Sequence, residues 1–489
     1  MNDLSFATIQ ELKQGLENKS FSSQELLEFY VQKFQQHDDS IKSAIEIFDT
    51  KSILEKHQQV GQQVGQQGGL LSGIPGIIKD NICQQGRITS CASKMLENYR
   101  ATYDATVIER LKNEGALLIG RANLDEFAMG SSTETSAFFK TKNPWNLSCV
   151  PGGSSGGSIA AVAAGMVPWA LGSETGGSVR HPAAFCGIVG FKPTYGSVSR
   201  YGLIAYASSL DQVGIATRTV YDSALVYSAI AGHDPKDAST LKQLEKKDYT
   251  TQLDGILPKN LRIGIVKTAF DTPGLDPQVK QLTQDAIETL RQAGATVHEI
   301  ELPTLEYSAA TYFIISRAEA ASNLARFDGV RYGYRSKDAK NLEDLYVKSR
   351  SEGFGKEVKV RMLIGNYVLS AGYAGKFYHN AQKVQDLIRK DFANAFSKVD
   401  VLMMPSQACP AFEFGKFDNN KLQMDLQDYF LCPANLAGIP AMSVPCGFTQ
   451  ENMPVGVQLI GPGLSEQLLF KVGHAYQQIT DWHKMHPKL

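Results

Sequence analysis

The 489-residue chain is 43% hydrophobic and 20% charged, and its 49 Lys plus Arg against 50 Asp plus Glu leave a formal net charge of -1. That balance excludes a nucleic-acid binder held by global positive charge, though not one local basic face, and the hydrophobic share suits a substantial core. No run approaches the roughly 18 apolar residues of a membrane span, and Asp3, Glu11 and Glu17 read as neither signal nor transit peptide, so a cytoplasmic protein without a membrane partner is expected.

The first 50 residues read as helical. Ser22 and Glu25 form a capping box ahead of Leu26, Leu27, Tyr30, Val31 and Phe34 at helical spacing. Residues 58–69 are polar and Gly-rich and are expected to form a loop. From Gly73 the pattern turns α/β. Gly76-Ile77-Ile78-Lys79-Asp80 reads as a short buried strand, Asp104 as the cap of a helix running to Gly115, and 116–120 as the next strand. This alternation predicts a largely parallel, buried sheet. It returns with a strand at 261–266, a helix over 276–294 that Asp276 and Pro277 open, and a strand at 296–300. Strands at 399–403, 441–445 and 455–460 follow, and Ser465 opens a last helix. The strand signals run from end to end without a repeat or long linker, so one large α/β domain is expected. Seven cysteines include no Cys-x-x-Cys pair and nine His are scattered singly, which points to buried reduced thiols and away from a zinc site or disulfide scaffold.

The 43 glycines are unevenly spread. Pro151-Gly152-Gly153-Ser154-Ser155-Gly156-Gly157-Ser158 by itself has the composition of a flexible linker. A small-residue helix at 159–165 and an apolar strand at 167–171 follow at once, as they would not after a linker. A second cluster comes next, Gly172-Ser173-Glu174-Thr175-Gly176-Gly177-Ser178-Val179-Arg180. Two such clusters around a helix and a strand suggest backbone kept bare at one place in space. Neither carries the Lys of a phosphate-binding P-loop. Gly152-Gly153-Ser154-Ser155-Gly156 fits the nucleophile elbow of α/β-hydrolases, but no downstream His has a convincing context. Thr175-Gly176-Gly177-Ser178 offers a third arrangement, an exposed Ser at a Gly-Gly turn whose N–H groups can hold an oxyanion. A Ser nucleophile needs a base, and in place of His the candidate is a buried, neutral Lys. Lys79, closing an apolar strand, is one such residue; it reads equally as a strand-end Lys reaching water or pairing with Asp80.

These clusters, with Gly190-Phe191-Lys192-Pro193-Thr194, resemble the amidase signature family. Asn123-Leu124-Asp125-Glu126-Phe127-Ala128-Met129-Gly130-Ser131-Ser132, the stretch from Ser322 to Gly333, and Asn435-Leu436-Ala437-Gly438-Ile439-Pro440 are similar to the glutamine-hydrolysing subunits of tRNA-dependent amidotransferases within it. The likeness covers nearly the whole chain. It implies an α/β fold, one large mixed β-sheet covered by α-helices, with an N-terminal helical region. It also implies a single domain over 1–489, with N-terminal helices at 1–60, the catalytic core at 73–210 and the remaining sheet and glutamine-binding segments at 261–489. A Ser-Ser-Lys triad is implied. Ser178 would attack the carboxamide of glutamine, Ser154 would relay the proton, and neutral Lys79 would be the ultimate base. Backbone N–H groups around Thr175, Gly176 and Gly177 would hold the oxyanion. Asp428 would accept from the substrate's α-ammonium, Arg361 would bind its α-carboxylate, and Tyr312 would line the site. The resemblance implies no metal or cofactor in this chain. It implies instead a heterotrimer with the B and C components of the amidotransferase. The B component would use ATP and magnesium to activate the mischarged Glu-tRNA(Gln) or Asp-tRNA(Asn) and would hold most of the tRNA.

Five positions depart from the family's pattern: Glu174 for Asp, Val179 for Ile, His181 for Gln, Leu431 for Thr, and Val360 for the first of two adjacent Arg. The longer Glu174 is expected to rearrange its bonds to the catalytic loop, and His181 to be a satisfied structural residue. The locally basic stretch from Arg331 to Arg361 reads as a solvated insertion. Two other uses of the signature stand beside this one. A stand-alone amidase of small or aryl amides would need an apolar pocket in place of Arg361 and Asp428. An idle scaffold would have no reason to retain Lys79, Ser154 and Ser178 together.

Overall fold

The computed structural model describes residues 3–64, 68–244 and 246–489. Its centre is one sheet built from β1 (Ala44–Ile47), β2 (Pro75–Lys79), β3 (Leu117–Ala122), β4 (Trp169–Glu174), β5 (Val189–Lys192), β6 (Gln212–Thr217), β7 (Arg262–Val266), β8 (Thr296–Ile300), β9 (Val401–Pro405), β10 (Ala441–Phe448) and β11 (Pro454–Ile460). The spatial order is β1-β3-β2-β4-β6-β5-β10-β11-β9-β7-β8. Neighbouring residues of one strand enter opposite cores, as the two-residue period of a strand requires. Ile77 packs with Ile119, Ile159 and Ala170 beneath the helices Ser23–Ile41 and Gly156–Ala163. Ile78 packs with Leu171, Ile215 and Leu469 on the face covered by the helices Val220–Ile230 and Glu466–Gln478. Both faces are therefore covered, and β2, β3 and β4 are buried along their whole length.

The mixed α/β sheet agrees with the resemblance and corrects the largely parallel one that strand–helix alternation predicts. Only β2–β3, β2–β4, β7–β8 and β7–β9 run parallel. The middle of the sheet, from β4 through β6, β5, β10 and β11 to β9, is antiparallel throughout. The βαβ signals belong to the two ends of the sheet, and a short turn joins β10 to β11, which only an antiparallel pair permits.

Three local expectations also change. The first 50 residues contain β1, an edge strand that pairs antiparallel with β3 and is too short to register against the helical pattern around it. The helix Thr50–Val64 runs into the expected loop at 58–69, because its Gln-rich sequence forms helix readily; residues 65–67 of that expectation lie outside the described residues. Asp104 does not cap its helix, Thr106–Asn113, whose N-cap is Ala105. Its carboxylate accepts instead from the Gln85 N–H at 2.8 Å and pairs with Lys112. The capping box of Ser22 and Glu25 and the Asp276 cap form as expected. Among the described residues no helix is long and apolar enough to cross a membrane.

Candidate active site

The parallel pair β2–β4 brings two chain segments to one end of the sheet. β2 ends on Lys79 and β4 on Glu174, and the loop that follows β4 carries Thr175 to Ser178 before the helix Arg180–Cys186. Carboxyl ends of adjacent parallel strands are where α/β sheets collect functional groups.

Lys79 has no exposed surface, and its Nζ lies 2.8 Å from Ser154 Oγ, 2.8 Å from Ser155 Oγ and 3.1 Å from the Ser173 carbonyl oxygen. Asp80 does not pair with it: that carboxylate bonds Arg121 Nη1 at 2.7 Å. Lys79 thus neither reaches water nor meets a carboxylate, and the strand-end alternative fails. Burial brings its pKa down from 10.5 to about 7, against the opposing pull of Asp125. The three contacts fix the amine's orientation. The Ser173 carbonyl can only accept, and the Ser155 hydroxyl donates to that same carbonyl at 3.1 Å, so Ser155 Oγ accepts from the amine as well. A neutral amine has two N–H groups, and both are then committed. In that neutral form the lone pair is left for the remaining partner, the hydroxyl of Ser154. A depressed pKa alone would not single out Lys79, because burial brings Lys192 to about 7 too. Lys192 donates to the Pro193 carbonyl at 2.7 Å and, among the described residues, hydrogen-bonds no serine.

Ser154 follows a cis peptide bond from Gly153. Its neighbour Ser155 donates its N–H to the Ser178 carbonyl at 3.1 Å, which ties the two serine-bearing loops together. Ser178 itself is 5% exposed, and among the described residues its hydroxyl bonds neither Ser154 nor any other side chain. The N–H groups of Gly176 and Gly177 likewise take no acceptor among the described residues, so they remain available to a developing oxyanion. The bare backbone is sterically required. A Cβ on Gly176 would sit 2.4 Å from Tyr312 Cζ, and one on Gly177 (φ 149°) would sit 2.8 Å from Leu431 Cδ1 and 3.0 Å from Asp428 Oδ1.

Those same contacts bring two of the expected substrate residues to the catalytic loop. Tyr312 lies against Gly176, and Asp428 against Gly177. Asp428 Oδ2 accepts from Ser131 Oγ at 3.0 Å, whereas Oδ1 is buried without a partner. Burial pushes this carboxyl up to about 8, so it is mostly protonated at neutral pH, and a cation brought beside the unpaired Oδ1 would favour its ionised form. Arg361 lines a cleft of about 520 Å³ together with Ser131, Ser132 and Asp425. Its Nε donates to Glu357 at 2.7 Å and its Nη1 to the Tyr206 hydroxyl at 2.8 Å, while Nη2 stands 3.9 Å from Asp425.

Glu174, the longer acid, reaches across the loop. Its carboxylate accepts from the N–H groups of Val179 and Arg180, each at 3.1 Å, and from the Arg180 guanidinium. Burial raises the Glu174 pKa, but Arg180 outweighs it and the carboxyl lies below its ordinary value. Thr175 Oγ1 donates to Asp211 at 2.7 Å, which holds the near side of the loop. His181 is buried against Phe185, and burial lowers it to about 4, so it is neutral at pH 7. Among the described residues neither ring nitrogen makes a well-formed hydrogen bond, only the Ser131 backbone lying near enough to favour the protonated ring, in contrast to the satisfied residue expected from the sequence.

Ser155, Ser131 and Asp125 also belong to the site, though nothing local in the sequence assigns them a role there. Asp125 accepts from the Thr133 N–H at 2.8 Å and from the Thr135 hydroxyl at 2.9 Å, shaping the turn that presents Ser131. Polar residues in a segment otherwise filled by Leu124, Phe127 and Met129 are the available signal; their partners lie too far along the chain to infer. Six of the seven cysteines are buried, all seven are unpaired, and Cys409 is partly exposed.

The family model described as Amidase matches residues 25–470. The chain is 50% identical, over 99% of its length and 99% of the relative's, to the A component of the glutamyl-tRNA(Gln) amidotransferase of Sulfurihydrogenibium sp. (strain YO3AOP1). It is 50% identical to the protein of the same description from Cyanothece sp. (strain PCC 7425), over 99% of this chain and 100% of that one. The crystal structure of the corresponding glutamyl-tRNA(Gln) amidotransferase component from Thermotoga maritima superposes with a TM-score of 0.82 at 39% identity, covering 98% of this chain and 96% of that chain.

Proposed function

Because the chain belongs to the amidase family, we propose that it is the glutaminase component of a tRNA-dependent amidotransferase, which hydrolyses glutamine and supplies ammonia for the amidation of mischarged tRNA. The observation that carries the reading is the buried contact of Lys79 Nζ with Ser154 Oγ at 2.8 Å, with no carboxylate bonded to the amine among the described residues. With its lone pair on Ser154, Lys79 draws that hydroxyl's proton as Ser154 takes the proton of Ser178. Ser178 Oγ bonds to the carboxamide carbon, and the N–H groups around Thr175, Gly176 and Gly177 hold the oxyanion. Collapse breaks the C–N bond. The proton returns through Ser154 to the departing nitrogen, which leaves as ammonia and a glutamyl ester on Ser178. Water, deprotonated along the same route, cleaves the ester to glutamate.

Substrate selection follows from charge. Oδ1 of Asp428 accepts the α-ammonium beside the catalytic loop, Arg361 binds the α-carboxylate from the cleft, and Tyr312 fills the wall between them. The whole chain acts as one catalytic unit, since the site draws on segments from Lys79 to Asp428. ATP, magnesium and most of the tRNA belong to the B component, and a small C component completes a cytoplasmic heterotrimer.

The deciding experiment compares two nitrogen donors in the assembled complex. Ser178→Ala is expected to abolish glutamine-dependent amidation of tRNA and to leave amidation from added ammonium chloride intact. Loss of both activities would make Ser178 a structural residue and overturn the triad.

A further inference from the structure

Glu126 is a buried carboxylate that the hydrolytic mechanism does not use. It is 1% exposed, yet it lines the same cleft as Arg361 and Ser131. Its two oxygens accept from the Gly355 N–H at 3.1 and 2.9 Å, and Oε1 also accepts from Ser93 Oγ. Ser93 Oγ in turn lies 3.3 Å from the Gly353 carbonyl. The carboxylate and Ser93 therefore clamp the junction Gly353-Phe354-Gly355 between the helices Leu342–Gly353 and Lys356–Leu369. The packing here is close: a Cβ on Gly355 would sit 2.2 Å from Glu126 Oε2, and Phe354 packs on Phe127 at 5.5 Å between ring centres.

One side of this clamp carries Arg361, and the other leads to Ser131, the hydrogen-bond partner of Asp428. Lys356–Leu369 holds Arg361 less than two turns beyond Gly355. On the other side, Glu126 opens a short turn in which Phe127 (φ 50°) and Ala128 (φ 60°) adopt left-handed backbone, and the segment continues to Ser131, which donates to Asp428. Two non-glycine residues in that conformation persist only where surrounding contacts hold them. Thr135 Oγ1 accepts the Glu126 N–H at 3.1 Å and Asp125 holds Thr133 and Thr135, which supplies such contacts.

We propose that Glu126 is a positioning residue for glutamine, setting the separation between the α-carboxylate anchor Arg361 and the α-ammonium anchor formed by Asp428 with Ser131. It acts through Arg361 and not on the reacting carboxamide. A helix free to shift by a fraction of an ångström at Gly355 carries Arg361 with it, and a two-point anchor tolerates little error in spacing. The inference rests on the glutamine reading given above.

The test is a double-mutant cycle in the full chain assembled with its partner subunits, scored on glutamine hydrolysis. Glu126→Ala is expected to raise KM for glutamine roughly tenfold with kcat changed less than about twofold, since ground-state positioning is lost and the chemistry is not. Glu126→Gln, which keeps an acceptor for the Gly355 N–H, recovers most of that loss. In an Arg361→Ala background, itself raised in KM, the further effect of Glu126→Ala disappears. Ser93→Ala provides a second route to the same junction if Glu126→Ala does not fold, and is expected to raise KM in the same non-additive way. Additive effects of the two substitutions, or a fall in kcat that equals the change in kcat/KM, would overturn the positioning role. An Arg361→Ala variant with unchanged KM would instead overturn the glutamine reading beneath it.

Discussion

The pH dependence of turnover is the sharpest test of the Lys79 assignment. A pKa brought from 10.5 to about 7 places roughly 5 kcal/mol against the ammonium form. The proposed base must be neutral, so about nine-tenths of the enzyme is competent at pH 8 and about one-tenth at pH 6, whereas an unshifted lysine would be neutral in less than about 1% of molecules even at pH 8. The assay is ammonia release at saturating glutamine from pH 5.5 to 9.5. Saturation matters because Asp428 lies at about 8 in the free protein and must ionise to receive the ammonium of glutamine. Once the substrate cation is bound, it holds that carboxyl ionised, and kcat reports Lys79 without it. The expected kcat profile has one acid limb with its midpoint near 7 and a plateau above. The kcat/KM profile carries a second limb near 8, which Asp428→Asn removes while raising KM. A kcat that is flat from pH 9 down to 6, or one still climbing tenfold per unit above pH 8.5, would refute the reasoning.

Two substitutions probe the loop around Ser178. Gly176→Ala forces a methyl to 2.4 Å from the buried Tyr312 ring, so kcat/KM for glutamine is expected to fall by roughly a hundredfold or more while ammonium-dependent transfer survives; an unaffected glutaminase would mean the loop has room to spare. Glu174→Gln leaves the Arg180 guanidinium buried beside neutral acceptors only, which should cost about 3–5 kcal/mol in urea unfolding; a cost below about 1 kcal/mol would deny the carboxylate its balancing role.

What the sequence makes legible follows the range over which each interaction acts. Caps at Ser22 and Asp276 and the buried strand ending on Lys79 are set by residues within a few positions, and they form as read. The sheet's parallel ends are visible because each βαβ unit is contiguous; its antiparallel middle joins β4, β6, β5 and β10 across more than 250 residues and has no local signature. The site divides in the same way. Residue chemistry alone nominates Lys79 and Ser178, because a strand-end Lys and a Gly-Gly-Ser turn are unusual within their own segments. Ser154, Arg361, Asp428 and Tyr312 enter only through family resemblance. The fold explains why: Tyr312 and Asp428 reach Gly176 and Gly177 from helices and turns more than 130 residues away. Asp104 shows the opposite failure, a residue with a plausible local role whose partners, Gln85 and Lys112, win it for tertiary bonds.

Arg180 accounts for how such distant segments hold a single geometry. It is fully buried; its Nε donates to Glu174 on its own loop, its Nη1 to Gln458 Oε1 at 2.7 Å, and its Nη2, shared with Glu174, lies 2.8 Å from the Leu431 carbonyl and 2.7 Å from Asn435 Oδ1. Gln458 Nε2 in turn donates to the carbonyls of Pro405 and Phe430. One guanidinium thus fixes the catalytic loop to the turn that bears Asp428, and both to β11. Buried charge of this kind is weak evidence for stability, since its desolvation offsets most of its attraction. It is better suited to specifying position, because a buried guanidinium tolerates only arrangements in which its donors all meet acceptors. The Asp428 oxygen left without a partner stands beside this network, on the turn that the Leu431 carbonyl ties to Arg180, so the proposed α-ammonium acceptor is held in place by the same guanidinium as the catalytic loop.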